Sequence, residues 1–181
     1  MYSNDPNSQS NAVELAFSKP GKGHQDYIDA FVAEMNRQCA KLRLKSTCFM
    51  NPHGMGQRGH VSTASDIITL MNYALKYELI RDVMSKQIYR CNIYSFDLKR
   101  LKFWWPNTNK LMNEYFQYGK TGTTDTAGPC LVCQFKIAGY EARGCLIDSK
   151  TAELRWKEMA TILLWQFDKY LRKHKIGWYN Y

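Results

Sequence analysis

The residues of this sequence that are best suited to chemistry lie in the stretch YGKTGTTDTAG at 118–128, and they are Lys120, Thr121, Gly122 and Thr123. A lysine ammonium and threonine hydroxyls are hydrogen-bond donors that suit a carboxylate. A glycine among them allows a ligand to approach the backbone closely. The stretch therefore predicts a polar lining for a carboxylate-bearing substrate. A second interpretation stays open, in which Gly122 only fits the geometry of a strand that runs into a turn.

Other residues that often bind metals or catalyse reactions are predicted to have structural roles. Cys130 and Cys133 are three positions apart in PCLVCQF, which has the character of a strand. Their side chains should then point to opposite faces, which is a poor geometry for binding one ion. Without a second pair of this kind, the sequence predicts neither a metal nor another cofactor. His53 and His60 flank a glycine-rich loop, where we expect them to stabilise turns.

The elements that must position these residues are predicted as helices, then an antiparallel sheet, then a closing helix. Apolar residues at helical spacing predict helices over 26–44, 65–85 and 151–173, with Ser65 as the N-cap of the second. Two short alternating stretches precede three predicted strands, which are YFQYGKTG, CLVCQFKIAG and ARGCLID. This order predicts an α+β fold with a three-stranded antiparallel meander.

Five blocks, in this order, resemble the family of D-alanyl-D-alanine carboxypeptidases, which are low-molecular-weight penicillin-binding proteins with a serine β-lactamase-like fold. The resemblance runs from about Pro6 to about Tyr170 and implies an incomplete β-lactamase/transpeptidase-like domain. The blocks that carry it are FVAEMNRQCAKLRLKSTCFMNPHG (31–54), HVSTASDIITLMNYAL (60–75), NTNKLM (107–112), GKTGTTDTAGPCL (119–131) and LIDSKTAELRWKEMATILLWQF (146–167).

Enzymes of the family that this sequence resembles use three motifs, Ser-x-x-Lys, Ser-x-Asn and Lys-Thr-Gly. Only the third is intact here, and the resemblance implies that it receives the carboxylate of the substrate. The second motif aligns with Asn7, Ser8 and Gln9, where asparagine replaces serine and glutamine replaces asparagine. No serine of the sequence is followed three residues later by lysine, so the first motif is absent from these residues. We therefore expect no intact catalytic residue.

Composition and the resemblance together predict a division of the chain and a requirement for partners. The predicted parts are a polar N-terminal arm at 1–11, a partial carboxypeptidase-like domain at 12–170 and a basic, aromatic C-terminal extension at 171–181. In this fold, strands from a preceding portion pair beside the last strand, so ARGCLID is expected to have an unpaired edge. Other protein subunits are predicted to cover that edge and the open side of the core.

The net charge of +9, from 25 basic and 16 acidic side chains, favours acidic partners. Basic residues are concentrated at 81–110 and after Lys169. This concentration indicates either a binding site for RNA or another acidic surface, or a basic face that is only solvated. Trp104 and Trp105 are predicted to be buried or to lie in a protein interface.

The sequence has no apolar run long enough to span a membrane, and its first residues lack the pattern of a secretory signal. Its six cysteines show no spacing typical of a disulfide framework. We therefore expect an intracellular protein in a reducing compartment, in the cytoplasm or in an organelle such as the mitochondrion, and not a secreted one.

Three functional hypotheses follow. In the first, the chain is a degenerate, non-catalytic carboxypeptidase-like domain that serves as a structural or accessory subunit of a larger assembly. In the second, it is one half of a split serine-type hydrolase whose Ser-x-x-Lys motif is supplied by another chain. In the third, it is a basic subunit that contacts RNA in a ribonucleoprotein.

Overall fold

The computed structural model describes residues 23–177 and confirms the α+β fold with an antiparallel sheet. The arm at 1–11, with Asn7, Ser8 and Gln9, lies outside the described residues. The helices and strands are α1 His24–Lys41, α2 Ala64–Ala74, α3 Glu78–Ser85, β1 Ile88–Tyr94, β2 Arg100–Pro106, β3 Phe116–Thr124, β4 Gly128–Ile137, β5 Tyr140–Leu146 and α4 Leu154–His174.

The strands form two separate antiparallel sheets. Strands β1 and β2 pair as a hairpin, and β3, β4 and β5 form the predicted meander in the order β3-β4-β5. Leu131, near the middle of β4, pairs with Thr121 of β3 and with Leu146 of β5. Strands β3 and β5 are therefore the edges of the larger sheet, and no other strand within residues 23–177 pairs with either.

The core lies between this sheet and α4. Residues four positions apart occupy one side of an α-helix, and alternate residues occupy one side of a strand. The buried residues follow both periods: Met159, Leu163, Phe167 and Leu171 of α4 pack against Leu131, Cys133 and Phe135 of β4 and Phe116 of β3. The spacing of hydrophobic residues in these two segments therefore determines the main layer of the domain.

A glycine in β5 allows α4 to lie directly on the sheet. A Cβ atom on Gly144 would be 2.5 Å from Sδ of Met159 and 3.3 Å from Cδ2 of Leu163, so both side chains would have to shift to accept it. Because α4 is fixed at this close approach, the beginning of the helix is held near the end of β3.

The prediction of one helix over 65–85 is wrong, because the chain forms two helices separated at Leu75–Tyr77. The amides of Lys76 and Tyr77 donate to carbonyls three residues earlier, which tightens the last turn of α2. Nη1 of Arg81 donates to the carbonyl of Leu75 at 2.6 Å. This side chain satisfies an acceptor that a helix end otherwise leaves without a donor, so the interruption is stabilised.

The N-cap of α2 is also different from the prediction, because it is Thr63 and not Ser65. Oγ1 of Thr63 accepts a hydrogen bond from the amide of Asp66 at 3.2 Å. The carboxylate of Asp66 lies in the first turn, where it favours the helix, and it accepts from the amide of Ser46 and the hydroxyl of Thr47. Asp66 therefore joins the start of α2 to the loop that follows α1.

The two histidines of the glycine-rich loop stabilise turns, as predicted. Nδ1 of His53 accepts from the amide of Met55 at 3.2 Å, and Nδ1 of His60 accepts from the amide of Met50 at 3.1 Å. Burial is the main cause that lowers the pKa of His60. Both imidazoles thus act as acceptors for the backbone within this loop.

Of the two roles predicted for Trp104, burial does not apply, because the residue is 70% exposed on β2, and the interface stays a prediction; Trp105 is half-buried. Trp105 stacks between Tyr89 and Phe103, with ring centres 5.9 and 5.5 Å away. Within residues 23–177, no helix has the length and apolar character needed to cross a lipid bilayer.

Candidate functional site

The predicted carboxylate-binding residues lie on β3, an edge strand whose position is set by a neighbouring loop. A bulge between Gln117 and Gly119 brings the strand against that loop, where a Cβ on Gly119 would be 2.5 Å from Nδ2 of Asn109. The hydroxyls of Thr108 and Thr121 lie 2.7 Å apart and share a hydrogen bond. The structure therefore adds Thr108 to the polar lining of β3.

Arg155, in the first turn of α4, is the main residue that the sequence reasoning missed. It is only 8% exposed. Its Nη1 donates to the carbonyl of Gly122 at 3.1 Å, to Oγ1 of Thr123 at 3.1 Å and to the carbonyl of Cys130 at 3.2 Å. Its guanidinium also lies 4.4 Å from the ring centre of Trp156. Arg155 thus connects the helix to β3 and β4 at Lys-Thr-Gly.

Arg155 and Lys120 place two positive charges at the same part of β3. The Lys120 side chain keeps contact with solvent, but the protein around its ammonium group lowers its pKa, and the charge of Arg155 lowers it further. The folded state therefore disfavours protonated Lys120. This destabilising contribution is fully present below the folded pKa and is relieved as the pH rises through it.

No carboxylate neutralises this pair within the described part of the chain. The ion pairs found between residues 23 and 177 involve neither Lys120 nor Arg155. The ammonium of Lys120 instead donates to the carbonyl of Thr121, and Nε of Arg155 is buried without an acceptor. The site thus combines surplus positive charge with unused hydrogen-bonding capacity.

Gly122 has a strand conformation and open space beside it. Its φ angle lies outside the left-handed region, whereas Gly128, which begins β4 after the turn, has φ +60°. A Cβ on Gly122 would meet no atom within 4 Å. The space beside Gly122 is therefore open and leaves room for a ligand at the backbone, and both interpretations of this glycine stay predictions.

The two threonines after Gly122 have different roles. The hydroxyl of Thr123 accepts from Arg155, so it belongs to the polar lining. The hydroxyl of Thr124 accepts from the amide of Ala127 at 3.1 Å and stabilises the turn. The structure thus brings Thr121 together with Thr108 and Thr123 together with Arg155, on the strand that also carries Lys120. The predicted second motif lies outside the residues that the structure describes.

The sequence matches the family described as D-alanyl-D-alanine carboxypeptidase over residues 8–151, which is more than half of the chain. The chain belongs to the D-alanyl-D-alanine carboxypeptidase family. Two curated relatives are D-alanyl-D-alanine carboxypeptidase DacF of Bacillus subtilis, 32% identical over 144 residues, and DacC of Escherichia coli K12, 31% identical over 150 residues. Each alignment covers 78% of this chain but only 36% and 35% of the relative, respectively.

The fold of this carboxypeptidase-family domain is also found in solved structures. The DD-transpeptidase of Streptomyces K15 superposes with a TM-score of 0.80 at 23% identity, over 88% of this chain and 62% of that protein. A D-alanyl-D-alanine carboxypeptidase of Mycobacterium tuberculosis H37Rv gives 0.67 at 23% identity, over 77% and 54%. These matches confirm the β-lactamase/transpeptidase-like fold. The domain spans about a third of the length of the curated relatives named above.

The sequence of this carboxypeptidase-family domain carried one overlooked signal for Arg155. A basic residue in the first turn of a helix is opposed by the helix dipole, so its presence there needs another stabilising partner. Arg155 also lies beside Trp156 at the start of the apolar side of α4, where a charged residue is unusual. The partner itself is 33 residues away along the chain and is not visible in the sequence.

Two cysteines of β4, Cys130 and Cys133, have structural contacts. Cys133 is fully buried in the core, and this burial raises its pKa to about 12. Cys130 lies on the same strand and donates to the carbonyl of Ala127. Among residues 23–177, no group of three or more histidine, cysteine, aspartate or glutamate side chains is arranged to hold a metal ion.

Proposed function

We propose that this domain recognises peptides through their free C-terminal carboxylate, and that it has no catalytic nucleophile of its own. The observation that carries the proposal is the pair of cations, Lys120 and Arg155, at the open end of β3 without a carboxylate partner in the described residues. Two like charges in partly desolvated surroundings repel each other, and an anion bound near both offsets that repulsion.

The surroundings of the two cations suit a peptide terminus. Hydroxyls of Thr108, Thr121 and Thr123 provide neutral hydrogen-bonding groups beside the charges. The outer edge of β3 has no strand partner within the described chain, so a bound peptide can add to the sheet there through main-chain hydrogen bonds. The open space at Gly122 supports such an approach. The names of the relatives specify D-alanyl-D-alanine, which ends in a free carboxylate.

The lowered pKa of Lys120 predicts how binding depends on pH. A carboxylate is bound best by the protonated ammonium, so affinity is constant well below the pKa of Lys120 and falls as the pH rises through it. Because this pKa is below that of an ordinary lysine, the loss of affinity begins at a lower pH than it otherwise would.

The first test measures binding of diacetyl-L-lysyl-D-alanyl-D-alanine by isothermal titration calorimetry. Lys120→Gln is expected to lower the affinity about 10- to 100-fold, because a charge-assisted hydrogen bond is lost. The variant should also lose the alkaline pH dependence. Lys136→Gln is the matched control, since Lys136 is an exposed lysine on β4 outside the site, and it should leave the affinity unchanged.

The C-terminal amide of the same peptide supplies the second control. It keeps the shape of the ligand and lacks the charge, so it is expected to bind no more tightly than the free acid binds to Lys120→Gln. Equal affinity for the acid and the amide, or an unchanged affinity in Lys120→Gln, would contradict the proposal.

The non-catalytic part of the proposal rests on the sequence, because no Ser-x-x-Lys motif occurs among its 181 residues. Acyl transfer at this site then requires a serine from outside these residues, in the same polypeptide or in another chain. We expect the purified chain to remain unlabelled by a fluorescent penicillin on a denaturing gel, beside an active serine carboxypeptidase as positive control. Covalent labelling of this chain would overturn the expectation.

The role as an accessory subunit is part of the same proposal. It is supported by the outer edge of β5, which pairs with no strand in the described chain, and by the exposed Ile162, Leu164 and Trp165 of α4. Such unpaired edges and apolar surfaces are typical contact sites for further protein. The segments that cover them, from this or another polypeptide, would be the partners. A second candidate function is a complete enzyme, formed when the segments that cover these surfaces also supply the missing motifs. The intact Lys120-Thr121-Gly122 favours this candidate.

A further inference from the structure

The hairpin of β1 and β2 has one apolar face. Because side chains alternate across a strand, the register places six residues of the two strands on the same side. Aromatic stacking of Tyr89 and Phe103 on Trp105 holds part of this face together. The six residues are Tyr89, Cys91, Ile93, Leu101, Phe103 and Trp105.

The opposite face of the hairpin is basic and aromatic. Arg90 pairs with Trp104, Asn92 with Lys102 and Tyr94 with Arg100 across this face. The guanidinium of Arg90 lies 5.7 Å from the ring centre of Trp104. From the start of β1 to the end of β2 there is one acidic residue, Asp97, against four basic ones, and Lys99 pairs with it at 2.7 Å. The hairpin is therefore amphipathic, with a strongly basic polar side.

The turn of the hairpin presents two apolar side chains to solvent. Phe96 is fully exposed and Leu98 is 80% exposed. The turn is closed by bonds from the amide of Leu98 to the carbonyl of Ser95 and from the amide of Ser95 to the carbonyl of Lys99. Leu98 has φ 59°, a conformation for which glycine or asparagine is better suited. Intramolecular packing thus gives no reason for leucine at this position.

The hairpin extends away from the rest of the domain. Each strand packs mainly on the other, and neither makes an extended contact with another helix or strand in residues 23–177. Its base is closed by Asn107, whose amide donates to the carbonyl of Gln87 and whose side chain donates to the carbonyl of Lys86. Both faces and the tip are therefore accessible within this domain.

We propose that the hairpin binds the surface of an anionic lipid bilayer. Phe96, Leu98 and the apolar face enter the interface, and the basic side chains contact lipid phosphates. Amphipathic elements with Trp, Phe and Leu on one side and Lys and Arg on the other bind in this way, and basic residues add attraction to anionic headgroups. Tyrosine and tryptophan are also favoured at the level of the headgroups.

Single-stranded RNA fits these observations less well. Aromatic side chains can stack on bases, but Leu98, Ile93 and Leu101 offer no ring for stacking, and RNA would leave them in water. A bilayer covers both kinds of side chain, because its interface accepts any apolar group. This inference does not depend on the carboxylate site, since β3 and the hairpin belong to different sheets.

The test is co-sedimentation of the purified chain with large unilamellar vesicles. One set of vesicles is phosphatidylcholine alone, and the other contains about 30% of the anionic lipid phosphatidylglycerol. We expect binding to the anionic vesicles, weakening with added salt, and little binding to the neutral ones. The double variant Phe96→Ser/Leu98→Ser is expected to reduce the partition coefficient about tenfold or more, since two large apolar side chains no longer enter the interface.

The matched control is Leu79→Ser/Val83→Ser, which removes two exposed apolar side chains from α3 and should leave vesicle binding unchanged. A charge variant, Arg100→Gln/Lys102→Gln, should weaken binding to anionic vesicles only. Folding of each variant is checked by its far-ultraviolet circular dichroism.

Three results would overturn the proposal. The first is the absence of binding to anionic vesicles, and the second is equal binding of the wild type and the Phe96/Leu98 variant. The third is weak binding to vesicles together with binding to a single-stranded RNA oligonucleotide that prevents sedimentation with the vesicles. The last result would assign the hairpin to RNA instead.

Discussion

Replacing Arg155 with leucine is expected to abolish binding of a peptide carboxylate and to lower the free energy of unfolding by about 2 kcal/mol. The substitution removes one of the two cations of the site. It also leaves the carbonyls of Gly122 and Cys130, which lie in a partly buried region, without the donor that joins them to α4. The loss is partly offset, because a desolvated guanidinium and its repulsion with Lys120 disappear at the same time.

Two measurements separate these effects of the Arg155 substitution, urea unfolding followed by circular dichroism and calorimetric titration with the peptide. Arg172→Leu is the control on the same helix, since Arg172 is exposed and pairs only with the i−4 residue Asp168 among the described ion pairs. It should change stability by less than about 0.5 kcal/mol and leave binding intact. Wild-type affinity in Arg155→Leu would remove Arg155 from the site, even if stability fell.

Replacing Phe167 with alanine is expected to cost about 3–5 kcal/mol of unfolding free energy, which is a large part of the stability of a domain this size. Phe167 is 0% exposed and lies at the centre of the core. Its ring centre is 5.8 Å from that of Phe135 on β4 and 5.2 Å from that of Tyr140 on β5. The cavity left by the ring would separate α4 from two strands at once.

The control for Phe167 is Ile162→Ala, a change on the same helix at a side chain that is 46% exposed. It should alter the free energy of unfolding by less than about 1 kcal/mol. Urea midpoints that coincide for the two variants would show that α4 does not pack on the sheet as described. Because α4 also carries Arg155, the Phe167 variant should weaken carboxylate binding wherever unfolding becomes significant.

The parts of the fold that local patterns specify were predictable from the sequence. The meander was predicted because β3, β4 and β5 are short alternating segments separated by turn residues. Helix α4 was predicted because its apolar residues recur every three or four positions over about six helical turns. The Lys-Thr-Gly residues were recognised because their motif is contiguous and occurs among family blocks in a fixed order.

The errors arose where contacts from elsewhere in the chain decide the local structure. The region 65–85 has helical periodicity throughout, yet Arg81 binds the carbonyl of Leu75 and stabilises a break that periodicity does not show. Thr63 and Ser65 are both suitable N-caps, and only the position of the chain before α2 selects Thr63. Trp104 appeared suited to burial, but the strand register places it on the basic face of a projecting hairpin.

The sequence by itself determined the family, the α+β order of elements and the presence of the Lys-Thr-Gly motif, because each depends on residues that are adjacent or periodic along the chain. Only the tertiary structure decided that Arg155 reaches β3, where it donates to Gly122 and Thr123. That contact depends on where α4 lies on the sheet, and Gly144 leaves room there for Met159 and Leu163. Packing over such distances in sequence has no local signature, because it depends on the shapes of both surfaces together.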